Sequence, residues 1–516
     1  MWLKKATMGM KDKKATVVGL ARSGAGAARL LSMMGAKVTV TDKRSEGELL
    51  DMLKGLGPSV KRALGGHPEE VFTSADLIVV SPGVPLDIEP VASARAKGTP
   101  VIGELELAFK SVMSYGLYVM SKDKPSEISG SRITHHASPF LAITGSNGKS
   151  TTTTLLDHMM RKAGFRTVLG GNIGNALTEE ILKIVTANEL QLTGNIDDHG
   201  DDLSPVTPHS SPDFFVVEVS SFQLETIDSF RPHIASILNI TPDHMDRYHS
   251  MAEYRNAKAN IYLNQQGDDF LVLNADDPGT VELYDLHFRS GKPEMPKVYF
   301  FSRTKEVEGL YCKEGKVFCT IPDISCKTFL INADEIRIKG VHNLENAMAA
   351  SAMALLAGCS PEAVREGMKE FGGLEHRLEL VRELDGVKYI NDSKGTNVGA
   401  VVKSIESFRE PLILIAGGRD KAGDFSVLRG PASQKVKAVL LIGEASGKIK
   451  DALGDVTETV MAKDLAEAVT LSRHLAKKGD VVLLSPACAS FDMFRDYEDR
   501  GRQFKKIVME MKNCNA

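Results

Sequence analysis

Long apolar runs are missing from this sequence of 516 residues. We find no uninterrupted apolar stretch of about 18 residues, the length that a membrane-spanning helix requires. The N-terminus, MWLKKATMGMKDKK, is basic, but no apolar segment follows it as in a secretory signal peptide. We therefore expect a cytoplasmic protein without membrane insertion.

Cysteine is scarce as well. Six cysteines over this length do not suggest a secreted disulfide scaffold. Cys312, Cys319 and Cys326 recur at a constant spacing, but that spacing matches no familiar metal site. We expect free thiols in a reducing compartment.

An excess of one charge sign is also absent. Lys and Arg number 63 and Asp and Glu number 67, which gives a formal net charge of −4. No global basic field therefore favours nucleic acid as a partner. Hydrophobic residues at 42% and charged residues at 25% are ordinary values for globular proteins. The length favours two to four domains.

Apolar strands alternate with helical stretches through three segments of the chain. This alternation predicts an α/β protein with parallel sheets, whose ligands bind at the carboxyl ends of the strands. The three predicted domains are an N-terminal Rossmann-like domain (1–103), a central phosphate-loop domain with a parallel sheet (104–372) and a C-terminal Rossmann-like domain (373–516).

Two polar stretches interrupt the central pattern. Residues 114–139 and 186–212 are rich in turn formers and show no clear period. Stretches of this length inside compact domains are usually functional or disordered. We interpret both as insertions and assign no function to them.

The stretch AITGSNGKSTTTT (142–154) predicts a nucleotide-binding loop. It departs from the pattern G-x-x-x-x-G-K-[ST], because Ile143 stands where the first glycine is expected and Gly145 follows two residues later. An apolar strand precedes the loop, and Lys149 and Ser150 begin a helix. Lys149 would reach the β- and γ-phosphates, and the Ser150 hydroxyl would bind Mg²⁺. A plain strand-to-helix turn is the alternative, but the run of threonines is a poor helix former.

Three further side chains of the central segment are candidates for chemistry. Glu218 lies near the end of a buried strand, where an adjacent metal ion would compensate its charge, although an acid at an exposed strand edge is the alternative. His244 follows the next strand and is either a ligand of a second metal or a structural histidine. Lys258, judged from its residue type alone, is a solvated helix lysine.

The outer segments carry weaker signals. In the third segment, Arg377 and Lys394 follow strands or boundaries and are candidates for stabilising phosphate charge. At the N-terminus, GLARSGAG (19–26) is similar to a dinucleotide fingerprint without matching it, and Asp42 ends the second strand, where it could contact a ribose or base. A tight glycine turn that packs a helix on a sheet explains this stretch almost as well.

Taken together, eight motifs resemble the Mur ligases. The motifs are TGSNGKSTTT, GGNIG, EVSSFQLE, NITPDHMDRY, HNLENAMAA, GLEHRLE, NDSKGTN and LLSPACASFD, and the resemblance runs from about Val17 to the C-terminus. SSFQLE, NDSKGTN and SPACASFD indicate the members that add D-glutamate to UDP-N-acetylmuramoyl-L-alanine. In this family the short loop TG-x-NGK-[ST] is the normal ATP site, so Ile143 is no defect.

The resemblance implies an ATP-dependent, amide-forming reaction of peptidoglycan precursor synthesis. ATP would phosphorylate the alanyl carboxylate to an acyl phosphate, which the amine of D-glutamate would attack to form a tetrahedral intermediate. Mg²⁺, with two ions implied, would help to neutralise the negative charge. A monomer is expected. Closure of the domains about hinges near 103 and 372 is expected as well.

The resemblance also implies roles for individual residues. Lys149, Glu218, His244, Lys258, Arg377 and Lys394 would be catalytic. The metal ligands would be Ser150, Glu218, His244 and a carbamylated Lys258. The ATP contacts would be Gly145, Ser146, Asn147, Gly148, Lys149, Ser150, Thr151, Asn343, Asn346, Arg377 and Asp392. The UDP-substrate contacts would be Ser23, Asp42, Lys43, Arg44, Ser81, Gly83, Asn172 and Ser220. The D-glutamate contacts would be Lys394, Thr396, Lys421, Ser490 and Phe491.

The alternatives are a sister ligase, a folylpolyglutamate synthase, an ATP-binding regulatory or transport protein, and an NAD-dependent dehydrogenase. SSFQLE argues against the sister ligases, and a folate enzyme needs no N-terminal uridine domain. An ATPase gives no reason for the basic loops of the third segment, and the dehydrogenase lacks G-x-G-x-x-G. One departure from the family is Gly395, where alanine is usual; we expect it to loosen the loop that carries Lys394.

Overall fold

The fold is described from a computed structural model of the chain. It describes residues 9–115, 139–192, 212–245, 247–289, 291–322, 328–420 and 423–512. The two polar stretches therefore fall largely outside the described residues. The second is shorter than expected, because helix α7 (Leu177–Leu192) continues into it.

The N-terminal segment forms a parallel sheet with the strand order β3-β2-β1-β4-β5. Its strands are β1 (Lys14–Val18), β2 (Lys37–Asp42), β3 (Lys61–Leu64), β4 (Leu77–Val80) and β5 (Val101–Gly103). Its helices are α1 (Arg22–Met33), α2 (Leu50–Leu53), α3 (Glu69–Thr73), α4 (Glu89–Ala96) and α5 (Glu104–Tyr115). The order reverses beside β1, so the turn after β1 lies at a switch point where such sheets bind ligands.

The central segment forms a larger sheet with the order β14-β13-β12-β11-β10-β9-β6-β8-β7. Its strands are β6 (Phe140–Thr144), β7 (Thr167–Gly171), β8 (Phe214–Glu218), β9 (Ile234–Ile237), β10 (Phe270–Asn274), β11 (Lys297–Ser302), β12 (Gly309–Lys313), β13 (Lys316–Cys319) and β14 (Thr328–Asn332). Its helices are α6 (Lys149–Lys162), α7, α8 (Ser221–Leu224), α9 (Met251–Ala259), α10 (Pro278–His287), α11 (Val341–Leu356) and α12 (Pro361–Glu370).

One edge of the predicted parallel sheet carries antiparallel strands, which the prediction did not include. Strands β12, β13 and β14 pair antiparallel. Glu314 and Gly315, the two residues between β12 and β13, have φ of 52° and 72°, as a tight hairpin turn requires. Cys312 and Cys319 lie on this hairpin, and Cys326 lies outside the described residues.

The C-terminal segment forms a third sheet with the order β15-β16-β20-β17-β18-β19, parallel except for the edge strand β15. Its strands are β15 (Glu379–Leu384), β16 (Val387–Asn391), β17 (Leu412–Gly417), β18 (Val436–Ile442), β19 (Glu458–Met461) and β20 (Val481–Leu484). Its helices are α13 (Val398–Glu406), α14 (Arg429–Lys435), α15 (Ser446–Leu453), α16 (Leu465–Leu475) and α17 (Tyr497–Glu510). Apolar clusters cover this sheet on both faces.

The chain divides into two compact units, Met1–Phe371 and Gly372–Ala516. The boundary coincides with the hinge expected near 372. Position 103 instead lies inside the first unit, where the Gly103 amide donates to the Thr226 carbonyl at 3.0 Å. Glu104 and Glu106 bind amides of the central segment, including Thr178 N–H at 2.7 Å and Phe230 N–H at 2.9 Å. A hinge near 103 would have to break these buried hydrogen bonds.

Candidate active site

The loop after β6 explains why Ile143 can replace a glycine. Ile143 is a fully buried residue of a central strand, paired with Glu218 of β8 and Ser236 of β9. The turn begins two residues later at Gly145, whose φ is 155°, and ends at Gly148, whose φ is 83° and which directly precedes α6. The glycines therefore stand where the backbone needs them. The backbone amides at the start of α6 form the end of the helix at which anions bind.

The segment that follows β9 holds this loop in shape. Asn147 N–H donates to Asn239 Oδ1 at 2.8 Å, and the Ser146 hydroxyl donates to the Thr241 carbonyl at 2.8 Å. Ser146 N–H also donates to the Asn239 carbonyl at 3.0 Å. The loop is thus hydrogen-bonded in its cradle form in the chain alone, which lowers the entropy lost on binding a nucleotide.

Helix α11 brings two asparagines to the same loop. A Cβ at Gly148 would overlap Asn346 Oδ1, so the two residues are in direct contact. Asn346 Nδ2 donates to Asn343 Oδ1 at 3.3 Å, since residues three apart share a helix face. The structure therefore places these predicted ATP contacts beside the loop, although they lie far from it in the sequence.

Replacing Gly148 by alanine is expected to weaken binding of a non-hydrolysable ATP analogue about 10- to 100-fold, measured by calorimetry. An alanine meets a left-handed backbone and the Asn346 amide together, each of which costs about 1–3 kcal/mol. Gly164→Ala is the control, because Gly164 has φ of 89° with open space around it. If both variants bound the analogue like the original chain, the Gly148 contact would not matter for the nucleotide.

Two lysines meet on one carbonyl of the loop. Lys149 Nζ and Lys258 Nζ each lie 2.9 Å from the Gly145 oxygen. Lys258 is only 1% exposed, and its ammonium lies 4.5 Å from the ring centroid of Tyr254, one turn earlier on α9. The interpretation of Lys258 as a solvated surface charge is therefore wrong.

Burial lowers the pKa of Lys258 to about 7, and the neighbouring charge of Lys149 acts in the same direction. Taking a charge out of water disfavours the protonated amine. A substantial fraction of Lys258 is therefore neutral and nucleophilic at neutral pH. That is the state in which an amine reacts with carbon dioxide.

Glu218 presents an unsatisfied oxygen at the end of β8. The side chain is 3% exposed, and its Oε1 accepts from Asn172 Nδ2 at 2.8 Å. Its Oε2 has no hydrogen-bond partner among the described residues. Gly171 lies opposite in register, and a Cβ there would overlap the Glu218 carbonyl. A buried carboxylate oxygen without a donor fits a cation, so the alternative of an exposed edge acid is wrong.

His244 lies in a strained turn after β9. Its φ is 55°, its side chain is 47% exposed, and its ring packs against Phe222 at 4.8 Å between centroids. Nowhere in the described part of the chain do three His, Cys, Asp or Glu side chains converge as a ready metal site. Any ion would therefore also need ligands of another kind, such as the buried Ser150 hydroxyl, a lysine carbamate or a phosphate.

The predicted UDP-substrate residues gather at the carboxyl ends of β1, β2 and β4. Asp42 is buried and bound to Arg44, with Arg44 Nη2 at 2.8 Å and Nε at 3.0 Å, and it also accepts from the Leu20 amide. These donors hold the pKa of Asp42 well below its usual range, although burial opposes them. The Ser81 hydroxyl donates to the Gly19 carbonyl at 2.7 Å. The buried Asp42 therefore holds Arg44 in place, and the Arg44 side chain is the partly exposed one of the two.

The remaining members of this set are more accessible. Lys43, Gly83 and Asn172 are exposed and Ser23 is partly exposed. Ser220 caps the short helix α8 in a capping box with Gln223. Asn172 and Ser220 follow β7 and β8, neighbouring strands, which places both at one edge of the central sheet.

In the C-terminal unit, Asp392 is buried between two serines. Ser404 and Ser485 each donate to its Oδ2 at 2.6 Å. Desolvation raises the pKa of Asp392 to about 6, against the lowering effect of these donors and of Arg377. A Cβ at Gly395 would lie 2.6 Å from Ser485 Oγ. The expectation that Gly395 loosens its loop is wrong, because the glycine is buried and allows close packing.

Four of the five predicted D-glutamate residues follow β16 or β20, which pair in parallel. Lys394 Nζ lies 5.1 Å from the ring centroid of Tyr497, within range of a cation–π contact. Thr396 is partly exposed, Ser490 is buried, and Phe491 is 60% exposed, an unusual position for a phenylalanine. Lys421 lies outside the described residues.

Three family models match the chain: "Mur ligase MurD-like, N-terminal domain" over residues 13–103, "Mur ligase middle domain" over 143–354 and "Mur ligase, glutamate ligase domain" over 376–488. A UDP-N-acetylmuramoylalanine--D-glutamate ligase of Citrifermentans bemidjiense is 43% identical over 511 residues, covering 99% of this chain and 100% of that protein. The chain belongs to the Mur ligase family. A ligase of the same name from Pelotomaculum thermopropionicum is 40% identical, covering 97% and 98% of the two chains.

Solved structures show the same fold for this Mur ligase. MurF of Acinetobacter baumannii aligns with a TM-score of 0.56 at 15% identity, over 99% of this chain and 98% of the other. MurC of Thermotoga maritima aligns with a TM-score of 0.54 at 17% identity, over 97% and 100%. The predicted family and α/β fold class are confirmed. No helix in the described ranges is long and apolar enough to cross a membrane.

Sequence reasoning missed several groups at the site of this Mur ligase. Asn239 and Thr241 support the phosphate loop, and Tyr497 contacts Lys394. The position of the asparagine and threonine directly after a strand was the available signal. Tyr497 begins a helix and carried no comparable signal.

Proposed function

We propose that this Mur ligase uses ATP to join D-glutamate to UDP-N-acetylmuramoyl-L-alanine in cytoplasmic peptidoglycan precursor synthesis. The observation that carries the ligase chemistry is the meeting of Lys149 and Lys258 on the Gly145 carbonyl of a preformed phosphate loop. The choice of substrates is supported by relatives of 40–43% identity that bear this activity in their names. It is also supported by the motifs SSFQLE, NDSKGTN and SPACASFD.

The proposed reaction makes a poor electrophile reactive. If the amine attacked a carboxylate directly, oxide would have to leave. The carboxylate oxygen therefore first attacks the γ-phosphorus of ATP, which forms an acyl phosphate and releases ADP. The amine of D-glutamate then adds to the acyl carbon and loses a proton. The tetrahedral intermediate collapses to the amide and releases phosphate.

Each step concentrates negative charge that this chain must balance. Lys149, at the start of α6, leaves the Gly145 carbonyl to bind the phosphates, helped by the amides of Ser150 and Thr151. Arg377 and Lys394 supply further positive charge in the second unit. Asn343, Asn346 and Asp392 complete the contacts with ATP.

The metal assignments come from the resemblance to the family, and the donors present fit them. Glu218 and Ser150 would hold one Mg²⁺, and His244 and a carbamylated Lys258 would hold a second. When bound, such ions neutralise phosphate charge and polarise phosphoryl oxygens. Two observations support this assignment: Glu218 Oε2 is buried with no hydrogen-bond partner in the part of the chain that the structure describes, and the pKa of Lys258 is lowered.

We assign separate sets of binding residues to the two ends of the muramoyl substrate and to the incoming amino acid. Ser23, Asp42, Lys43, Arg44, Ser81 and Gly83 would bind the uridine and diphosphate. Asn172 and Ser220 would hold the muramoyl-alanine end. Lys394, Thr396, Lys421, Ser490 and Phe491 would bind D-glutamate. We expect a monomer without nucleic-acid partners.

Phosphate release with ATP, Mg²⁺ and UDP-N-acetylmuramoyl-L-alanine tests the proposal, with each amino acid tried in turn as acceptor. We expect release that depends on D-glutamate, with a product heavier by one glutamyl unit. Dependence on another amino acid would make the chain a sister ligase with the same mechanism. Release without any acceptor dependence would refute amide formation.

A further inference from the structure

Arg500 is a fully buried cation of the C-terminal unit. Its side chain, on α17, is 0% exposed. No acidic side chain in the described part of the chain forms an ion pair with it. Burial lowers the pKa of Arg500 to about 10, which still leaves the guanidinium charged at neutral pH. A buried charge persists only where its donors are satisfied, so the contacts of Arg500 indicate its role.

Within the described ranges, the Arg500 side chain donates to neutral oxygens of two residues. Nε donates to Ser393 Oγ at 2.9 Å, and Nη2 donates to the Ser393 carbonyl at 2.8 Å. The Cys488 carbonyl accepts from Nη1 at 3.3 Å and from Nη2 at 3.4 Å. One guanidinium therefore joins two loops that are far apart in the sequence.

Both loops carry the residues assigned to D-glutamate. Ser393 directly precedes Lys394, and its carbonyl belongs to the same peptide plane as the Lys394 amide. Cys488 lies two residues before Ser490. The loops follow the adjacent strands β16 and β20 and share one backbone hydrogen bond, from Ala487 N–H to the Gly395 carbonyl at 2.8 Å. Without Arg500 they would remain neighbours with less defined spacing.

We propose that Arg500 is a positioning residue that sets the distance between the Lys394 loop and the Ser490 loop, and through it the affinity for the incoming amino acid. The inference rests on the proposed function, because it takes these loops as the D-glutamate site. The planar guanidinium is suited to the task, since its fork of donors reaches acceptors on two sides at once. A lysine ammonium at this position keeps the charge but cannot span both carbonyls.

Steady-state kinetics of Arg500→Lys test this role. We expect the KM for D-glutamate to rise about tenfold or more, because small displacements of binding groups have large effects. The KM for UDP-N-acetylmuramoyl-L-alanine should stay within about twofold, since its proposed contacts lie in the other unit. Arg502→Lys is the matched control, because Arg502 is an exposed residue on the same helix.

Ser393→Ala provides a second variant if Arg500→Lys does not fold. It removes the Ser393 hydroxyl, which accepts from Arg500 and donates to the Tyr497 carbonyl at 2.8 Å, and it leaves both carbonyls that accept from Arg500. We expect an increase of about threefold in the same KM. A fall in melting temperature with every KM unchanged would show that Arg500 is only structural. An equal rise in both KM values would also overturn the inference.

The wild-type assay separates this inference from the proposed function. If the wild-type chain showed no turnover dependent on D-glutamate, the proposed function would fail and the inference with it. If the wild type turned over normally and Arg500→Lys kept its KM for D-glutamate, only the inference would fail.

Discussion

Replacing Lys258 by arginine is expected to lower kcat about 1,000-fold. Arginine keeps the positive charge but does not form a carbamate. If the active form is the carbamate, the variant lacks an anionic ligand and leaves a cation beside Lys149 instead. Loss of several kcal/mol of charge stabilisation corresponds to a factor of this size.

Carbon dioxide provides the decisive measurement for Lys258. Activity of the original chain should fall in buffer depleted of carbon dioxide and return with bicarbonate. Chain exposed to ¹³C-bicarbonate should show a carbamate resonance that Lys258→Arg lacks. Lys162→Arg is the control. Lys162 ends α6, the helix that follows the loop, and forms a partly exposed ion pair with Glu370.

The pH dependence of this site has a definite sign. Burial lowers the pKa of Lys258 in the folded chain to about 7, whereas the pKa of an exposed lysine, as in the unfolded chain, is about 10.5. Between these values the unfolded state binds more protons, so the contribution of Lys258 to stability rises with pH. Carbamate formation should likewise increase from pH 6 to pH 8. If Lys258→Arg were inactive while the activity of the wild type did not depend on carbon dioxide, Lys258 would act as a cation and not as a carbamate.

Exchanging Glu218 for glutamine should separate activity from stability. We expect kcat to fall about 100- to 1,000-fold and the Mg²⁺ concentration for half-maximal activity to rise about 100-fold, because a charged ligand is lost. In EDTA the same variant should be more stable by about 1–3 kcal/mol. An amide is less costly to bury than a carboxylate whose Oε2 has no partner among the described residues.

Urea unfolding in EDTA and Mg²⁺ titration of activity measure these two effects. Glu225→Gln is the matched control, since this nearby acid is bound by Arg247 at 2.6 Å and by the Tyr248 hydroxyl. That variant should lose stability while its Mg²⁺ requirement stays unchanged. A less stable Glu218→Gln with an ordinary Mg²⁺ requirement would make Glu218 a structural acid.

Local sequence patterns predicted the strands and helices beside the candidate site. Strand β2 (Lys37–Asp42) ends at Asp42 as predicted, and the loop before Lys149 lies between a strand and a helix as predicted. Both rest on short-range physics: apolar alternation for the strand, and glycines at positive φ before a helix for the loop. The antiparallel hairpin of β12 and β13 was missed, because only pairing between strands establishes its direction.

The other differences concern contacts between residues that are far apart in the sequence. Lys258 was interpreted as a surface residue because nothing within α9 shows that Gly145, 113 residues earlier, lies against it. Gly395 was expected to loosen its loop, since the packing of Ser485 against it is not visible in the sequence. The assignment of Asp42 to a ribose or base stays a prediction, and the sequence did not show that Arg44 and the Leu20 amide donate to its oxygens.

The sequence by itself determined the family, the α/β class and the residue types of each loop, because these depend on short patterns of apolar, glycine and charged residues. Only the tertiary structure decided which charged side chains are buried and which groups surround them. The lowered pKa of Lys258, the burial of Glu218 and the contacts of Arg500 with two loops all arise from packing by residues distant in the chain. Exclusion of water sets the energy of a charge, and that exclusion exists only once the chain has folded.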